Sequence, residues 1–519
     1  MSEKVDTGAE VPDVQFPRSG GQKAVLWLDV SQTVTAAVLA GIFLLVVVLA
    51  STFGWSLFML GLLLLDVVAI LVTVIPFRGR PLPWWIKQRV RALRHQGQGQ
   101  DSFVSHAPSA RELEADAQEE EAAIAAGIDP PVRLRLPGEA AELRLYQLSN
   151  GSAMVWDPVT KTAAMVARVV PHGFRMAEPE DQNDVLANWA ALIDALHSEP
   201  GVLAVQASDT ITTASAAEIR QAYERQVEHS EQAGTPAGAS LSPLLHNDYL
   251  NLLSGDRSQV QHDHLIGVTL SQEGLRDQVK ASGGGIKGML AVCARFEDQL
   301  EELIRECSVD VSEWLSVDLL AQALRRALVP DESVAIADGS IHVTAATAGP
   351  MGVDVEWDRM RVDSAWHRVM EVAQWPTRPQ QPGFMRFLNG ADFPHVVTQA
   401  IRPQGVDAGM KRVQRRMSDQ QSGAIMRSQL GQTASIVEGA VESDLERTSA
   451  ELLAGHGMAK FVGLIVVSGG SADELERNTK RMIQGSTRAG CELRTLYGQQ
   501  WAGFLAAALP LGRSMIKGK

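Results

Sequence analysis

Residues 31–53 read SQTVTAAVLAGIFLLVVVLASTF, a run without a single charged side chain. A helix rises about 1.5 Å per residue, so this run is long enough to cross a hydrocarbon layer of about 30 Å. Beyond a short turn at Gly54, residues 56–77 (SLFMLGLLLLDVVAILVTVIPF) are equally apolar except for Asp66. The sequence therefore predicts a transmembrane helical hairpin over residues 31–77.

The hairpin is followed by a basic segment, residues 78–95, in which no side chain is acidic. The positive-inside rule places such a flank in the cytoplasm, and the short turn keeps both termini and the C-terminal body on that side. Adjacent tryptophans in this segment suit an interfacial aromatic belt. We therefore expect a multi-pass protein of the cell inner (plasma) membrane. The residues expected at the membrane interface are Arg78, Arg80, Trp84, Trp85, Lys87 and Arg89.

Three residues within the hairpin are candidates for helix assembly. Asp66 is the one ionisable side chain at bilayer depth, where a charged group costs about 2.5 to 3.5 kcal/mol. Gly41 and Gly61 are small enough to let two helices approach closely. We favour the interpretation that Asp66 is protonated or hydrogen-bonded to a neighbouring subunit and fixes assembly. A proton-relay or gating role is the alternative.

Composition narrows the function of the rest of the chain. The 519 residues carry a formal net charge of −14. A protein that grips DNA or RNA without sequence preference needs a surplus of basic side chains, so direct nucleic-acid binding is not expected. Cys293, Cys307 and Cys491 are far apart and form neither a CxxC nor a Cys/His pattern. The cysteines therefore indicate neither disulfide bonds nor a zinc site.

Composition also divides the chain into segments. The acidic run after the basic segment is expected to be a linker that carries a short, solvated helix, and an acidic docking strip is the less favoured alternative. A subdivision of the body is expected near residues 230–260. The predicted segments are a cytoplasmic tail (1–30), the hairpin (31–77), the basic juxtamembrane segment (78–95), the acidic linker (96–131) and a cytoplasmic body (132–519).

Strand and helix patterns predict an α+β fold for the body. Residues 132–170 contain short β-forming runs between turn signals, which predicts an antiparallel meander. Residues 178–199 place apolar side chains three and four apart, which is typical of an amphipathic helix. In the second half, the buried run KFVGLIVV (460–467) and the capped helical pattern at 471–488 repeat this order. We therefore expect helices laid over an antiparallel sheet of split βαβ type.

The sequence contains no motif of an autonomous enzyme, and catalytic, cofactor-binding and metal-binding residues are all predicted as none. Residues 283–285 (GGG) precede Lys287 but lack the spacing and the hydroxyl residue of a phosphate-binding loop, which favours a flexible turn. His262 and His264 share one face of a strand, but no third ligand lies near them in the sequence. A metal site there is a minor alternative.

The order of these segments resembles that of known secretion proteins. Residues 16–18 (FPR), the hairpin and RGRPLPWWIKQRVRALRH are similar to the PrgI family of conjugation-machine membrane proteins. The body resembles the N-terminal, non-motor domain of type IV secretion ATPases, and this resemblance rests on SAMVWDPVTKTAAMVARVV (152–170), FVGLIVVSGGSADELE (461–476) and GQQWAGFLAAALPLGR (498–513). The two together resemble actinobacterial conjugal-transfer membrane proteins, which are sometimes grouped with the EccE component of type VII secretion.

This resemblance implies a membrane-anchored, non-enzymatic component of a type IV-like conjugative DNA-transfer or secretion machine. Its expected partners are a separate ATPase, other inner-membrane channel subunits, membrane lipid and further copies of the chain. The RecA-like motor of the ATPases does not follow the body in this sequence, so no ATPase activity is expected. The alternatives are an EccE-like component of a type VII system and, with low weight, a membrane-bound enzyme with an unrecognised site.

Overall fold

In the computed structural model the chain divides into two compact units. The first unit contains Gln100–Gly405 and Gly457–Lys519, and the second contains Pro17–Gly99 and Val406–His456. The described residues are 23–25, 28–53, 57–74, 76–77, 80–97, 101–171, 178–214, 223, 227, 243–253, 259–307, 309–378, 380, 383–404, 409–418, 421, 443, 445–449, 458–509 and 511–513. Residues 1–22 of the predicted tail (1–30) lie outside the described residues.

The strands belong to one large sheet and two short hairpins. They are β1 (Lys23–Val25), β2 (Leu28–Asp29), β3 (Pro76–Phe77), β4 (Arg80–Pro81), β5 (Ser102–Val104), β6 (Val132–Arg133), β7 (Arg144–Gln147), β8 (Ala153–Asp157), β9 (Thr162–Pro171), β10 (Val202–Ala214), β11 (Gln259–Ser271), β12 (Val309–Trp314), β13 (Gly352–Val355), β14 (Met360–Val362), β15 (Ala365–Gln374), β16 (His395–Gln404), β17 (Met458–Gly469) and β18 (Glu492–Thr495).

The helices range from one turn to more than six turns. They are α1 (Val30–Phe53), α2 (Leu57–Val74), α3 (Leu82–Gly97), α4 (Ala110–Ala126), α5 (Pro179–Ser198), α6 (Pro243–Leu253), α7 (Arg276–Ala281), α8 (Gly285–Glu306), α9 (Val317–Leu328), α10 (Ser333–Ala337), α11 (Arg386–Asn389), α12 (Ala472–Arg488) and α13 (Gln500–Ala507). Short 3₁₀ turns lie at Gly138–Ala140 and Pro330–Glu332.

The first unit is built on a 14-stranded antiparallel sheet. Its strand order is β5-β13-β14-β15-β17-β16-β10-β11-β9-β8-β7-β6, with β12 beside β9 and β18 beside β15. The strand order is the same when it is read outward from either side of the β16–β10 pair. One side reads β16, β17, β15 and β18, and the other reads β10, β11, β9 and β12. The sheet therefore consists of two similar halves, which we call half A (residues 144–314) and half B (residues 352–495).

Each half has the strand and helix order of a split βαβ unit. In half A the order is β9-α5-β10-β11-α8-β12, and in half B it is β15-α11-β16-β17-α12-β18. The spatial order is the fourth strand, the first, the third and the second in both halves. The halves differ in the first helix, which has 20 residues in half A and four in half B.

The two halves are joined edge to edge through their second strands. Val205 pairs with Ile401 and Ile211 with His395, so the register is symmetric about Ser208 and Thr398. Each of these strands also pairs with the third strand of its own half, β10 with β11 and β16 with β17. The two halves are therefore related by a pseudo-two-fold axis perpendicular to the sheet.

Alternation of side chains along the strands produces different cores on the two faces. One face carries a core that continues across both halves and is covered by α9, α10 and α13. The other face carries two separate cores, one under α5 and α8 in half A and one under α11 and α12 in half B. Successive strand residues point to opposite faces, which assigns Val369 to the continuous core and Met370 to the core of half B.

The acidic segment before the body is part of the first unit. It forms α4, which begins with a capping box in which Ser109 and Glu112 exchange hydrogen bonds. The predicted short helix is therefore confirmed. Its acidic side chains are not wholly solvated, because Glu119 pairs with the buried Arg144 at 2.8 Å and Asp116 pairs with Arg133 at 3.2 Å.

The predicted transmembrane hairpin is wrong. The second unit does contain α1 and α2, which pack against each other. None of the helices in the described ranges, however, is both long enough and apolar enough to cross a bilayer. α2 has 18 residues, which reach only about 27 Å, and it carries Asp66. The predicted fold class with two N-terminal spans, the description as a membrane protein and the plasma-membrane localisation depended on these spans and are corrected with them.

Candidate functional site

Three side chains of types that can bind metal ions lie together on the face of the sheet that carries the two separate cores. Asp209 on β10 is directly opposite His264 on β11, and Ile211 is opposite His262. Residues two apart on a strand share a face, so Asp209, His262 and His264 point to the same side. We call these three residues the histidine cluster.

The two imidazoles converge on the carboxylate. His262 Nδ1 lies 3.1 Å from the Asp209 carboxylate, and His264 Nδ1 lies 3.3 Å from it. The imidazole rings are stacked, with centroids 5.8 Å apart. Asp209 is buried, with 9% of its side chain exposed, while His262 and His264 are 38% and 34% exposed. The cluster therefore lies at the boundary between the protein interior and solvent.

Half B supplies the remaining surroundings of the cluster. Asn389, at the end of α11, donates a hydrogen bond from Nδ2 to Asp209 Oδ2 at 2.9 Å. His395 on β16 pairs with Ile211 across the junction of the halves. Both of its ring nitrogens face backbone carbonyl oxygens, Nδ1 that of Phe393 and Nε2 that of Leu388. His395 is therefore occupied by the backbone and is not a further member of the cluster.

The local electrostatics separate these histidines. The hydrogen bond to Asp209 raises the pKa of His262 above its usual value, against the opposing effect of partial burial. Burial lowers the pKa of His395, although its two carbonyl contacts oppose this shift. The hydrogen bond from Asp209 thus favours positive charge on His262, whereas burial disfavours positive charge on His395.

The chemistry that this arrangement supports is metal coordination. One ligand atom from each of the three side chains can be chosen so that all lie within 4.8 Å of one another. Two imidazole nitrogens and one carboxylate oxygen form a donor set that zinc and other transition metals accept. Within the described ranges this is the one group of three or more such side chains that close together.

The sequence alone pointed away from this site for an identifiable reason. The third ligand, Asp209, precedes His262 by 53 residues and reaches it only because β10 pairs with β11. The residue between the histidines, Asp263, points to the opposite face and pairs with Arg168 at 2.8 Å. Pairing of residues 202–209 (VLAVQASD) with residues 262–270 (HDHLIGVTL) in the register of β10 and β11 places Asp209 opposite His264.

The glycine run at 283–285 forms a turn, as predicted. Its three residues have positive φ values of 107°, 70° and 57° and lead into α8. Positive φ is readily adopted by glycine alone among the common residues, which explains the composition of this turn. Lys287 donates a hydrogen bond to the Ala126 carbonyl at 3.4 Å.

The predicted assembly residues lie in the second unit. Asp66 on α2 is 5% exposed, and its Oδ2 has no hydrogen-bond partner among the described residues. A side-chain carbon at Gly41 or Gly61 would meet no atom within 4 Å, so neither glycine is required for the packing of α1 on α2. Their use in contacts between chains stays a prediction.

The residues predicted at a membrane interface are placed by β4 and α3. Arg78 lies outside the described residues, and Arg80 is in β4. Trp84 and Trp85 begin α3 with their rings in an edge-to-face contact at 5.2 Å. Lys87 and Arg89 are exposed on the same helix. The contacts within the chain leave the interfacial role of these residues as a prediction.

No protein-family model matches the chain, and no curated protein sequence matches it. The resemblance to conjugation and secretion proteins therefore rests on the quoted sequence patterns.

Proposed function

We propose that the protein is a structural component of a type IV-like conjugative DNA-transfer or secretion machine. In this proposal the α1–α2 hairpin of the second unit joins copies of the chain, and the sheet of the first unit binds a separate ATPase. The observation that carries the proposal is the exposure of large apolar side chains along both helices of the hairpin.

The exposed side chains are too numerous for a helix pair that stands alone in water. Leu44 and Leu45 on α1, and Leu64 and Leu65 on α2, are each between 59% and 69% exposed. Full burial of one leucine side chain contributes about 1.5–3 kcal/mol. Contiguous apolar surface of this kind marks sites of association, and a second copy of the hairpin offers the matching surface.

Asp66 is a buried polar side chain of the hairpin. A buried carboxylate oxygen without a hydrogen-bond donor costs free energy, because the water that solvated it in the unfolded chain is not replaced. Oδ2 of Asp66 lacks such a donor among the described residues. Because Asp66 is only 5% exposed, a donor from a neighbouring copy would reach this oxygen only if the side chain rotated to the surface of the hairpin, so the leucines rather than Asp66 carry the assembly role.

The test compares a quadruple substitution on the hairpin with a single substitution at a similarly exposed residue of the first unit. The variant L44Q/L45Q/L64Q/L65Q removes the apolar surface of the hairpin, and V159Q changes a residue of the first unit that is 72% exposed. We expect wild type and V159Q to form oligomers, and the quadruple variant to associate about 1,000-fold more weakly, since four leucines lose their burial. Analytical ultracentrifugation and native mass spectrometry measure this directly.

A wild-type chain that is monomeric at micromolar concentration would overturn the assembly role. Equal association of wild type and the quadruple variant would also overturn it, because the interface would then lie elsewhere.

The second part of the proposal concerns the ATPase. Crosslinking in intact cells, followed by mass spectrometry, should recover a motor ATPase with the first unit. The purified chain should hydrolyse no ATP, and turnover that persists after contaminating ATPases are removed would contradict the docking role. Genes beside the coding sequence separate the two secretion types, because a relaxase gene indicates conjugation and small WxG-type substrates indicate type VII secretion.

A further inference from the structure

We infer that Asp209, His262 and His264 bind one divalent transition-metal ion, with Zn²⁺ as the best match, and leave a fourth coordination position open to water. The inference is independent of the proposed assembly function. It depends on three observations: the distances between ligand atoms, the accessibility of the cluster and the difference between the two halves of the sheet.

The distances are those of a site that needs little rearrangement. Zinc binds imidazole nitrogen and carboxylate oxygen at about 2.0–2.1 Å, so neighbouring ligand atoms in a tetrahedral site lie about 3.3 Å apart. Asp209 already lies 3.1 Å from His262 Nδ1 and 3.3 Å from His264 Nδ1. All three ligand atoms lie within 4.8 Å of one another, so the two imidazole nitrogens need to approach each other by at most about 1.5 Å to reach this spacing.

The accessibility of the cluster indicates three protein ligands and one exchangeable position. Asp209 is anchored in the sheet and held by Asn389, whereas both imidazoles reach solvent. Closed structural zinc sites use four protein ligands, and sites with three protein ligands keep water in the fourth position. His395, the nearest further imidazole across the strand pair, has both nitrogens engaged by carbonyl groups.

Asn389 offers the support that metal ligands usually receive from their neighbours. Its Nδ2 fixes the orientation of the Asp209 carboxylate at 2.9 Å. Its Oδ1 is buried and has no hydrogen-bond partner among the described residues. A water molecule bound to the metal carries O–H donors that such an acceptor can take.

Half B shows that the fold does not require these side chains. By the symmetric register of β10 and β16, Asp209 corresponds to Gln399. Its neighbours His264 and His262 correspond to Gly463 and Phe461 on β17. There the aromatic rings of Trp375 and Phe461 pack 5.6 Å apart, and Trp375 lies against Gly463. Half B therefore forms the same strand pairs with apolar packing, and the polar set in half A serves a different purpose.

The experiment uses the full-length chain after treatment with a chelator. Zn²⁺ is titrated in competition with a chromophoric chelator, and Co²⁺ is added separately as a spectroscopic probe. We expect one equivalent of Zn²⁺ to bind, and the visible absorption of Co²⁺ to have the intensity of a four-coordinate site with nitrogen and oxygen ligands. D209N, H262A and H264A should each weaken Zn²⁺ binding by at least about 100-fold.

The matched control is H342A, which removes an exposed imidazole of the same unit far along the chain from the cluster. It should bind one equivalent as tightly as wild type. N389A should weaken binding by about 10–100-fold, because only the support of Asp209 is lost. If D209N does not fold, the half-exposed H264A carries the test.

Two results would overturn the inference. Wild type that binds less than one equivalent of Zn²⁺ would show that the cluster is a hydrogen-bonded group alone. Binding that is unchanged in H262A and H264A would show that the metal is held at other residues.

Discussion

Half A and half B share strand order and the pairing of their strands, yet they carry different kinds of side chain at equivalent positions. Half A places Asp209, His262 and His264 in a half-exposed polar group. Half B places Gly463 beneath Trp375 at the corresponding point. The comparison teaches that the fold specifies positions rather than side chains, because either a polar or an apolar group satisfies the same strand pairing.

Each half also contains a buried titratable side chain that is held toward its neutral form. In half A, burial raises the pKa of Glu297, whose carboxylate accepts hydrogen bonds from Asn150 and Ser152. In half B, burial lowers the pKa of His367 to about 4. Both groups are held toward their neutral forms, one by gaining a proton and the other by losing it.

The largest effect that we expect from this contrast is the acid sensitivity that His367 gives to half B. His367 is fully buried between the Leu328 carbonyl and the Ser468 hydroxyl. The unfolded chain takes up this proton near pH 6.5 and the folded chain only near pH 4, so stability falls as the pH falls through that window. The shift corresponds to about 3 kcal/mol.

The measurement compares wild type and H367Q in urea unfolding at a series of pH values between 7 and 4. H367Q should lose less stability on acidification, by about 3 kcal/mol. Identical pH dependence of the two proteins would show that His367 is not the group responsible.

A second, smaller effect should follow from placing alanine at equivalent points of the two halves. A Cβ at Gly463 would lie 2.7 Å from Trp375 and from Val372, closer than side chains tolerate. Gly463→Ala should therefore destabilise the protein by about 2 kcal/mol. His264→Ala should cost less than about 1 kcal/mol, because His264 is half-exposed and Asp209 keeps His262 and Asn389 as partners.

Both variants should be measured by chemical denaturation in the presence of a chelator, which keeps metal binding out of the comparison. A cost for His264→Ala equal to that for Gly463→Ala would mean that the two positions are packed alike.

The smallest effect concerns the helices that cover the two cores. Ser471 caps α12 by accepting a hydrogen bond from the Glu474 amide at 3.2 Å. Ser471→Ala should cost about 1 kcal/mol. The equivalent helix of half A, α8, starts at Gly284 with φ 70° and has no side-chain cap. Gly284→Ser should therefore destabilise α8 by about 1 kcal/mol rather than stabilise it.

Thermal unfolding followed by circular dichroism measures both substitutions. If Gly284→Ser raises the unfolding temperature, the left-handed conformation at Gly284 is not needed and the contrast between the helices is removed.

Local patterns predicted several of the regular elements correctly. The helix expected at 178–199 is α5 (Pro179–Ser198), and the one expected at 471–488 is α12 (Ala472–Arg488). The strand expected at 460–467 lies inside β17. These elements have strong apolar periodicity and recognisable caps, so their identity depends on neighbouring residues in the chain.

One prediction was wrong, and one group of side chains was not foreseen, because both depended on the environment of a segment. The apolar runs over residues 31–77 predicted membrane spans, because hydropathy indicates which segments lipid can accommodate. No described helix, however, is both long enough and apolar enough to cross a bilayer. Asp209 lies far from His262 and His264 in the sequence, so no local pattern predicts that the three side chains form a cluster. Strand pairing brings them together, and the register of β10 on β11 is not visible in either segment alone.

The sequence by itself determined where many of the helices and strands form, because backbone propensity, apolar spacing and capping act over a few residues. Tertiary structure alone decided that the two halves join through β10 and β16, and that Asp209 meets two histidines from another strand. The physical reason is that contacts between strands depend on register and on the packing of whole faces, which residues distant in the chain fix together.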